Sequence, residues 1–263
     1  MTVCIAGICN QGKTIVVAAD RMVTAGPPMN LEFEHDRSKV SKLTSSCAAM
    51  NAGDALLAHD ILRSVRGGLQ NEPDVDAVVG LLVEAYTRAR QVRIEEQLRA
   101  IGLTLATFLA EGLKQLGPLF PNMVQQVTQM NANVELLVAG FTTQGDARVA
   151  FVHNPGAVRW FDPLGFHAVG SGGMHAAMAL ISLGHSISDP PERAVLNVYE
   201  AKRKAEVAPG VGRQTDLLVL NAKGEAKPAS STVFDELARL YDTSRQPSTV
   251  SYDKLKELID APT

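Results

Sequence analysis

The chain has 263 residues, 46% of them hydrophobic and 20% charged, a composition that supports a large core and argues against disorder. The net charge of −3 gives no indication of the basic face that binds nucleic acid. No apolar stretch is long enough to span a membrane, and the first charged residue is Lys13, so we expect no membrane segment, no signal peptide and a cytoplasmic location.

The chain begins with a predicted β-hairpin. Two short apolar runs, Val3–Ile8 and Thr14–Ala19, indicate strands, and Asn10-Gln11-Gly12 between them supplies residues typical of a tight turn. The following segment, Asp20–Glu34, is predicted to be a loop. The start of the chain is therefore expected to lie within a sheet.

The middle of the chain is predicted to be mostly helical. It is preceded by two short strands, Val40–Leu43 and Cys47–Ala52, and a helix is expected after Gly53-Asp54, with an apolar stripe formed by Ala55, Leu56, Leu57, Ile61, Leu62 and Val65. From about residue 75 to 130 the composition is helical, with breaks near Gly102 and at Gly117-Pro118.

Strands return in the second half, again followed by helices. We predict strands at Val134–Phe141 and Ala147–His153, and a further strand pair at Ala157–Phe161 and His167–Gly170. The last predicted elements are helices at Met174–Leu183 and Pro191–Val207, a strand at Asp216–Leu220 and two tail helices at Val233–Leu240 and Tyr252–Ile259.

This order of elements predicts an α+β fold. Paired helices between blocks of antiparallel strands argue against a parallel sheet and favour two stacked antiparallel sheets with a helix layer on each outer face. We expect one domain at residues 1–225 and a helical extension at 226–263.

Local signatures of catalysis and cofactor binding are absent from the sequence. It has no Gly-x-Ser-x-Gly elbow and no dinucleotide fingerprint, and Gly170-Ser171-Gly172-Gly173 lacks the lysine of a phosphate-binding loop. The cysteines match no zinc spacing and the histidines do not cluster, so we expect no metal and no cofactor. Cys4, Cys9 and Cys47 are expected to be small buried residues, and Lys202-Arg203-Lys204 a solvated helix face.

Thr2 is a candidate nucleophile because removal of Met1 would place a hydroxyl and a free amine on one residue. The amine, with a reference pKa of about 7.7, is suited to act as the general base. The hairpin brings Asp20 back beside Thr2, and Lys39 can reach the same corner, although this pair is also compatible with a solvated ion pair. Lys42 is a rival to Lys39, since strand alternation points the two lysines to opposite faces.

Five short motifs, taken in chain order, resemble those of proteasome β-type subunits, which are N-terminal nucleophile hydrolases. They are Thr2, Ala18–Thr24, Lys39-Val40, Gly53-Asp54-Ala55 and Gly170-Ser171-Gly172. The likeness is closest to the simpler bacterial proteasome-like proteins, and it covers most of residues 2–220.

The resemblance implies a four-layer αββα sandwich and hydrolysis of peptide bonds through an acyl-enzyme on Thr2. It implies that Asp20 orients Lys39, that Ser171 bonds near the amine and that Thr24 pairs with an extended substrate. The chain departs from the family at three positions: Met50 stands where an oxyanion-hole glycine is expected, Glu206 replaces a late aspartate and Pro209 a serine. The small residues Ala48 and Ala49 suggest an open substrate pocket.

Three functions are consistent with the sequence. The first is a threonine peptidase that acts on peptides or proteins and assembles into a ring or open helical homo-oligomer. The second is a transpeptidase or ligase, in which an amine intercepts the acyl-enzyme. The third is an inactive structural subunit, favoured by Met50, by Pro209 and by a first hairpin two residues longer than is usual in the family. The sequence does not decide whether an ATPase is a partner.

Overall fold

A computed structural model of the protein describes residues 2–25 and 31–244. The protein is mixed α+β, with about 46% helix and 26% strand, as predicted. In chain order, the strands of the described part are β1 (Cys4–Cys9), β2 (Thr14–Asp20), β3 (Met22–Ala25), β4 (Leu31–Glu34), β5 (Val40–Lys42), β6 (Cys47–Gly53), β7 (Val134–Phe141), β8 (Ala147–His153), β9 (Ala157–Trp160), β10 (Phe166–Val169), β11 (Thr215–Asn221) and β12 (Ala226–Pro228).

The helices follow the predicted order closely. They are α1 (Ala55–Ser64), α2 (Val75–Arg99), α3 (Leu105–Leu116), α4 (Phe120–Gln129), α5 (Gly173–Ser182), α6 (Pro191–Ala205) and α7 (Ser231–Ser244). Within the described part, no helix is both long and apolar enough to cross a bilayer. The predicted tail helix at Tyr252–Ile259 and the loop residues Gly26-Pro27-Pro28 lie outside the described residues.

Ten strands form two five-stranded antiparallel sheets. The strand order is β10-β1-β2-β11-β12 in the first sheet and β5-β6-β7-β8-β9 in the second. The predicted hairpin of β1 and β2 is confirmed, with Cys4 opposite Ala19 and Cys9 opposite Thr14. Asn10, Gln11 and Gly12 form its turn at positive φ, which suits Asn and Gly.

The two sheets share one hydrophobic core. Ala6 and Val17 from the first sheet join Ala48, Met50 and Leu137 from the second, all fully buried. Since burying an aliphatic side chain contributes roughly 1.5–3 kcal/mol, this shared core is a main source of stability. Every second residue of β1 and β2 belongs to this core, because successive side chains of a strand point to opposite faces, and the residues between them are buried on the other face of the sheet.

Each five-stranded sheet is covered by its own pair of helices. A second core cluster joins the second sheet to α1 and α2, where the Tyr86 hydroxyl donates to Val134 O at 3.0 Å. On the first sheet, α6 packs against β1 and β2, and α5 packs against α6 and β10. Helix α1 begins where predicted, because the Asp54 carboxylate accepts from the Leu56 and Leu57 backbone N–H groups.

The prediction that Asp20–Glu34 is a loop is wrong for its two ends. Asp20 ends β2, and β3 and β4 pair as a two-stranded ribbon, with Met22 opposite Glu34. Leu31 and Phe33 on this ribbon are exposed, so the segment lacks the buried alternation from which strands are predicted. The ribbon is instead anchored by polar contacts such as that from Gln214 N to Glu34 Oε1, at 2.8 Å.

The predicted strand pair after β8 also needs correction. Both strands exist, but β9 pairs with β8 in the second sheet and β10 pairs with β1 in the first. A short 3₁₀ turn at Asp162–Leu164 and a left-handed Gly165 (φ 78°) carry the chain between the sheets. Local pattern predicts that a strand forms but does not determine its partner.

Two details of the predicted elements differ from the structure. Leu56, assigned to the apolar stripe of α1, is 80% exposed. The short strand β12 was not predicted; it pairs with β11. The chain divides into compact units at Ala229/Ser230, four residues beyond the predicted boundary, and α7 is the described part of the second unit.

The half-buried side chain of His167 predicts a pH dependence of stability. The His167 ring stacks on Phe161 with centroids 3.5 Å apart, and burial lowers the pKa of His167 to about 4. The unfolded chain, with a histidine pKa of about 6.5, therefore binds a proton between pH 6.5 and 4 that the folded chain does not. The folded state loses stability as pH falls through this window.

We expect His167→Phe to remove this loss. Between about pH 7.5 and pH 5, wild type should lose roughly 1–2 kcal/mol more unfolding free energy than the variant, a figure reduced because the ring is only half-buried. Urea unfolding at both pH values measures it, with His175→Gln on the exposed face of α5 as control. Parallel pH profiles for wild type and His167→Phe would contradict the assignment.

Candidate active site

Thr2 is held at the point where the chain enters β1. Its nitrogen donates to Ser171 Oγ at 3.1 Å, and its carbonyl accepts from Gly172 N at 3.1 Å. Gly170 has φ +87°, and a Cβ there would lie 2.3 Å from Thr2 O. Only glycine permits this close approach, so the segment 170–172 fixes the position of Thr2.

Asp20, the last residue of β2, is fully buried and its carboxylate accepts four hydrogen bonds. Oδ1 accepts from Val3 N at 2.9 Å and from Lys39 Nζ at 3.1 Å. Oδ2 accepts from Met22 N and Gly212 N, both at 2.9 Å. Four donors compensate the desolvation of this charge and leave the carboxylate a single orientation.

Lys39 connects the carboxylate to the candidate nucleophile. Its Nζ donates to Thr2 Oγ1 at 2.5 Å as well as to Asp20, and its side chain is 11% exposed. An ammonium at this distance favours the deprotonated form of the hydroxyl. Of the two rival lysines, Lys39 is thus the one in contact with Thr2, and Lys42 is exposed.

Ser171 also links Thr2 to the loop after α6. Its hydroxyl lies 3.2 Å from Pro209 O and 3.4 Å from Thr2 O, in position to donate to either carbonyl. Pro209 stands where the resemblance places a serine, and it contributes its carbonyl oxygen instead of a side chain. Three of the predicted catalytic residues, Asp20, Lys39 and Ser171, therefore surround Thr2.

Glu206 makes its described side-chain contacts within the last turns of α6. Its Oε1 accepts from Lys202 Nζ at 2.7 Å and lies 3.1 Å from Arg203 Nε. It ends α6 and begins the loop that carries Pro209 and Gly212. A catalytic role for Glu206 stays a prediction.

Lys202 is a residue of this region that the sequence did not identify. The prediction that residues 202–204 form a solvated face is wrong for Lys202, which is fully buried and donates to Arg213 O as well as to Glu206, both at 2.7 Å. Burial lowers the pKa of Lys202, and Glu206 opposes that shift. The ammonium thus ties both ends of loop 206–213, from which Gly212 reaches Asp20.

The predicted substrate-binding residues lie in two different sheets: Ala48 and Met50 in the second five-stranded sheet, and Thr24 in the two-stranded ribbon. Met50 and Ala48 are fully buried in the core between the sheets, so the Met50 side chain does not crowd a cleft. Ala49 is buried in the cluster beneath α1 and α2. Thr24 lies in β3, where its backbone is opposite Glu32 of β4, and its pairing with a substrate stays a prediction.

Two clefts border the site. One, of about 740 Å³, is lined by Thr2 and Ser171 together with Glu135, whose Oε2 accepts from Gly170 N at 2.9 Å. The other, of about 700 Å³, is lined by Lys39. Glu135 carried no signal in the sequence, because it lies within the apolar run of β7. Thr2 thus lines one cleft, and its partner Lys39 lines the other.

All three cysteines are buried, as predicted, and burial raises the pKa of the Cys4 thiol, which donates to Asn51 O. Within residues 2–25 and 31–244, no group of three or more His, Cys, Asp or Glu side chains is arranged to hold a metal ion.

A comparison with protein-family models finds no match for this chain, and a comparison with curated protein sequences finds none. The residues of the site are therefore the basis for assigning a function.

The buried lysine behind the site gives a stability prediction. Lys202→Met should lower the unfolding free energy by about 3 kcal/mol, because Glu206 and the Arg213 carbonyl lose their buried partner. Lys204→Met, exposed on the same helix, is the matched control and should change it by less than about 0.5 kcal/mol. Urea unfolding measures both variants.

Adding Glu206→Gln to Lys202→Met should restore part of the loss, since the carboxylate left without its lysine is neutralised. Equal effects of Lys202→Met and Lys204→Met would show that the buried ion pair does not stabilise the loop.

Proposed function

We propose that the protein is a threonine-type amidohydrolase that cleaves peptide bonds with the Thr2 hydroxyl as nucleophile. The observation that carries this proposal is the contact of Lys39 Nζ with Thr2 Oγ1, at 2.5 Å, with Asp20 holding the same ammonium at 3.1 Å. A nucleophile, a cation beside it and a buried orienting carboxylate form the arrangement that nucleophilic catalysis requires.

Removal of Met1 completes the mechanism by turning the Thr2 nitrogen into a free amine. The amine accepts the hydroxyl proton while Oγ1 bonds to the substrate carbonyl carbon, whose oxygen becomes an oxyanion. The ammonium then returns the proton to the leaving nitrogen, and the C–N bond breaks to give an acyl-enzyme on Thr2. Water, deprotonated by the same amine, attacks the ester and releases the acid.

The surrounding residues suit these steps. Ser171 Oγ lies 3.1 Å from the Thr2 nitrogen and orients it. The Lys39 charge favours the alkoxide, and the four hydrogen bonds to Asp20 keep the lysine in place. No cofactor is required, because proton transfer and bond formation involve only Thr2, its amine and water.

The arrangement of elements supports a fold assignment that accompanies this function. Two antiparallel sheets share a core, with α1 and α2 against one and α5 and α6 against the other. We propose that these layers form the αββα sandwich of N-terminal nucleophile hydrolases. The likeness to proteasome-like proteins further suggests a homo-oligomer that acts on peptides or proteins.

The direct test is the intact mass of the native protein before and after treatment with a peptide epoxyketone or β-lactone. We expect loss of Met1 and one covalent adduct on Thr2, because these electrophiles react with an activated N-terminal threonine. Thr2→Ala should give no adduct while keeping the same circular-dichroism spectrum. Met1 removal with no adduct would favour the structural-subunit alternative.

A second prediction compares the two neighbouring lysines. Lys39→Met should slow adduct formation by a neutral epoxyketone by about 100-fold or more, because the hydroxyl loses the cation that favours its deprotonation. Lys42→Met removes the same charge without touching Thr2 and should react within about threefold of wild type. The rate is measured by mass spectrometry over time, and the reverse order would place Lys42 in the mechanism.

A further inference from the structure

The cleft beside Lys39 adjoins the candidate nucleophile. Its walls are formed by β5 and the residues before it, by α1 and by the 3₁₀ turn Arg66–Leu69. Lys39 belongs to its lining and reaches Thr2 Oγ1 with its Nζ. Lys39 therefore connects this cleft to the candidate nucleophile, while Thr2 itself lines the other cleft.

The charge of the cleft is strongly one-sided. Its lining contains five cationic side chains and, among the described residues, no Asp or Glu. The whole chain has 25 Lys and Arg against 28 Asp and Glu, so an unselected surface would carry both signs. The five cations are Arg37, Lys39, Lys42, Arg63 and Arg66.

Two of these charges already have acidic neighbours. Lys39 is paired with Asp20. Lys42 lies near Glu72: the pKa of that carboxyl is lowered mainly by its hydrogen bond from Ser45 N, and the Lys42 charge adds to the effect. We therefore exclude both lysines from the set of cations available to a ligand.

The three arginines remain. Within the described residues, none of Arg37, Arg63 and Arg66 lies within 4.0 Å of a carboxylate, whereas the arginines at positions 21, 93 and 148 are all paired. Arg63 lies at the end of α1, three residues before Arg66. Both arginines line the cleft, one from the end of α1 and the other from the turn that follows it.

The cleft also has an apolar part. Leu62 and Leu69 are buried, and the exposed Leu56 belongs to the same lining. An aliphatic stem can pack on these leucines while a carboxylate at its end accepts hydrogen bonds from guanidinium groups. Aspartate and glutamate side chains have this combination, with glutamate offering the longer stem.

We propose that the cleft selects substrates with an acidic side chain, glutamate or aspartate, next to the scissile bond, bound by Arg63, Arg66 and Arg37. This inference rests on the proposed function for its place in catalysis and extends it to a substrate class. Binding of the acidic side chain is nevertheless measurable without turnover.

The first experiment measures binding to the full-length Thr2→Ala protein, which cannot form an acyl-enzyme. Three capped peptides that differ only in one central residue, glutamate, glutamine or lysine, are compared by fluorescence anisotropy. We expect the glutamate peptide to bind about tenfold more tightly than its glutamine isostere, with the advantage shrinking as salt rises. Equal affinity for all three peptides would overturn the proposal.

The second experiment tests whether the arginines of this cleft cause the preference for the glutamate peptide. Arg63→Glu combined with Arg66→Glu should abolish the preference for glutamate and favour the lysine peptide, because the wall changes sign. Arg88→Glu combined with Arg99→Glu changes the net charge equally on the exposed surface of α2 and should preserve the preference. An equal loss in both double variants would show an effect of net charge and refute the cleft assignment.

The two proposals fail in different ways. If glutamine and glutamate epoxyketones label Thr2 at the same rate and the peptides bind equally, the nucleophile stands and the substrate class is wrong. If the glutamate peptide binds selectively while no electrophile labels Thr2, the anion-binding cleft stands and the amidohydrolase is wrong.

Discussion

The buried carboxylate of Asp20 is the contact on which the rest of the site depends. Its four hydrogen bonds come from four separate segments: the start of β1 through Val3, the start of β3 through Met22, the loop after α6 through Gly212, and Lys39. A desolvated charge is tolerated only when its hydrogen bonds are made. These segments are therefore constrained to meet at one point, and the Lys39 ammonium is thereby held against Thr2.

A second buried charge, that of Lys202, stabilises the loop that contacts Asp20 and Ser171. Lys202 holds Glu206 and the Arg213 carbonyl, the two ends of the loop from which Gly212 reaches Asp20 and Pro209 reaches Ser171. Removing one partner of such a pair lowers the stability of the fold more than replacing both partners with apolar residues, because one charge is left buried and unpaired. Loop geometry and fold stability are thus coupled at this site, and a change in either is expected to affect the other.

The two clefts beside the site differ in the charges of their walls. On one side, Arg37, Arg63 and Arg66 form a cationic wall next to Lys39. On the other, Glu135 and Arg159 lie with Thr2 and Ser171 around a cleft whose wall therefore carries both signs of charge. The first cleft is therefore the one that suits the acidic side chain proposed for the substrate, because its described lining carries one sign of charge.

The sequence by itself determined the local elements and the order of the candidate residues. Local sequence pattern predicts the hairpin turn, the start of α1 at Asp54 and the breaks at Gly102 and Gly117. Each of these features depends on side chains within a few positions of the backbone groups involved. Only the tertiary structure decided the partners of β9 and β10, the burial of Lys202 and the cationic cleft. The physical reason is distance along the chain: Thr2 meets Ser171 across 169 residues, and Gly212 meets Asp20 across 192. Burial and charge pairing depend on such distant neighbours, which no local pattern records.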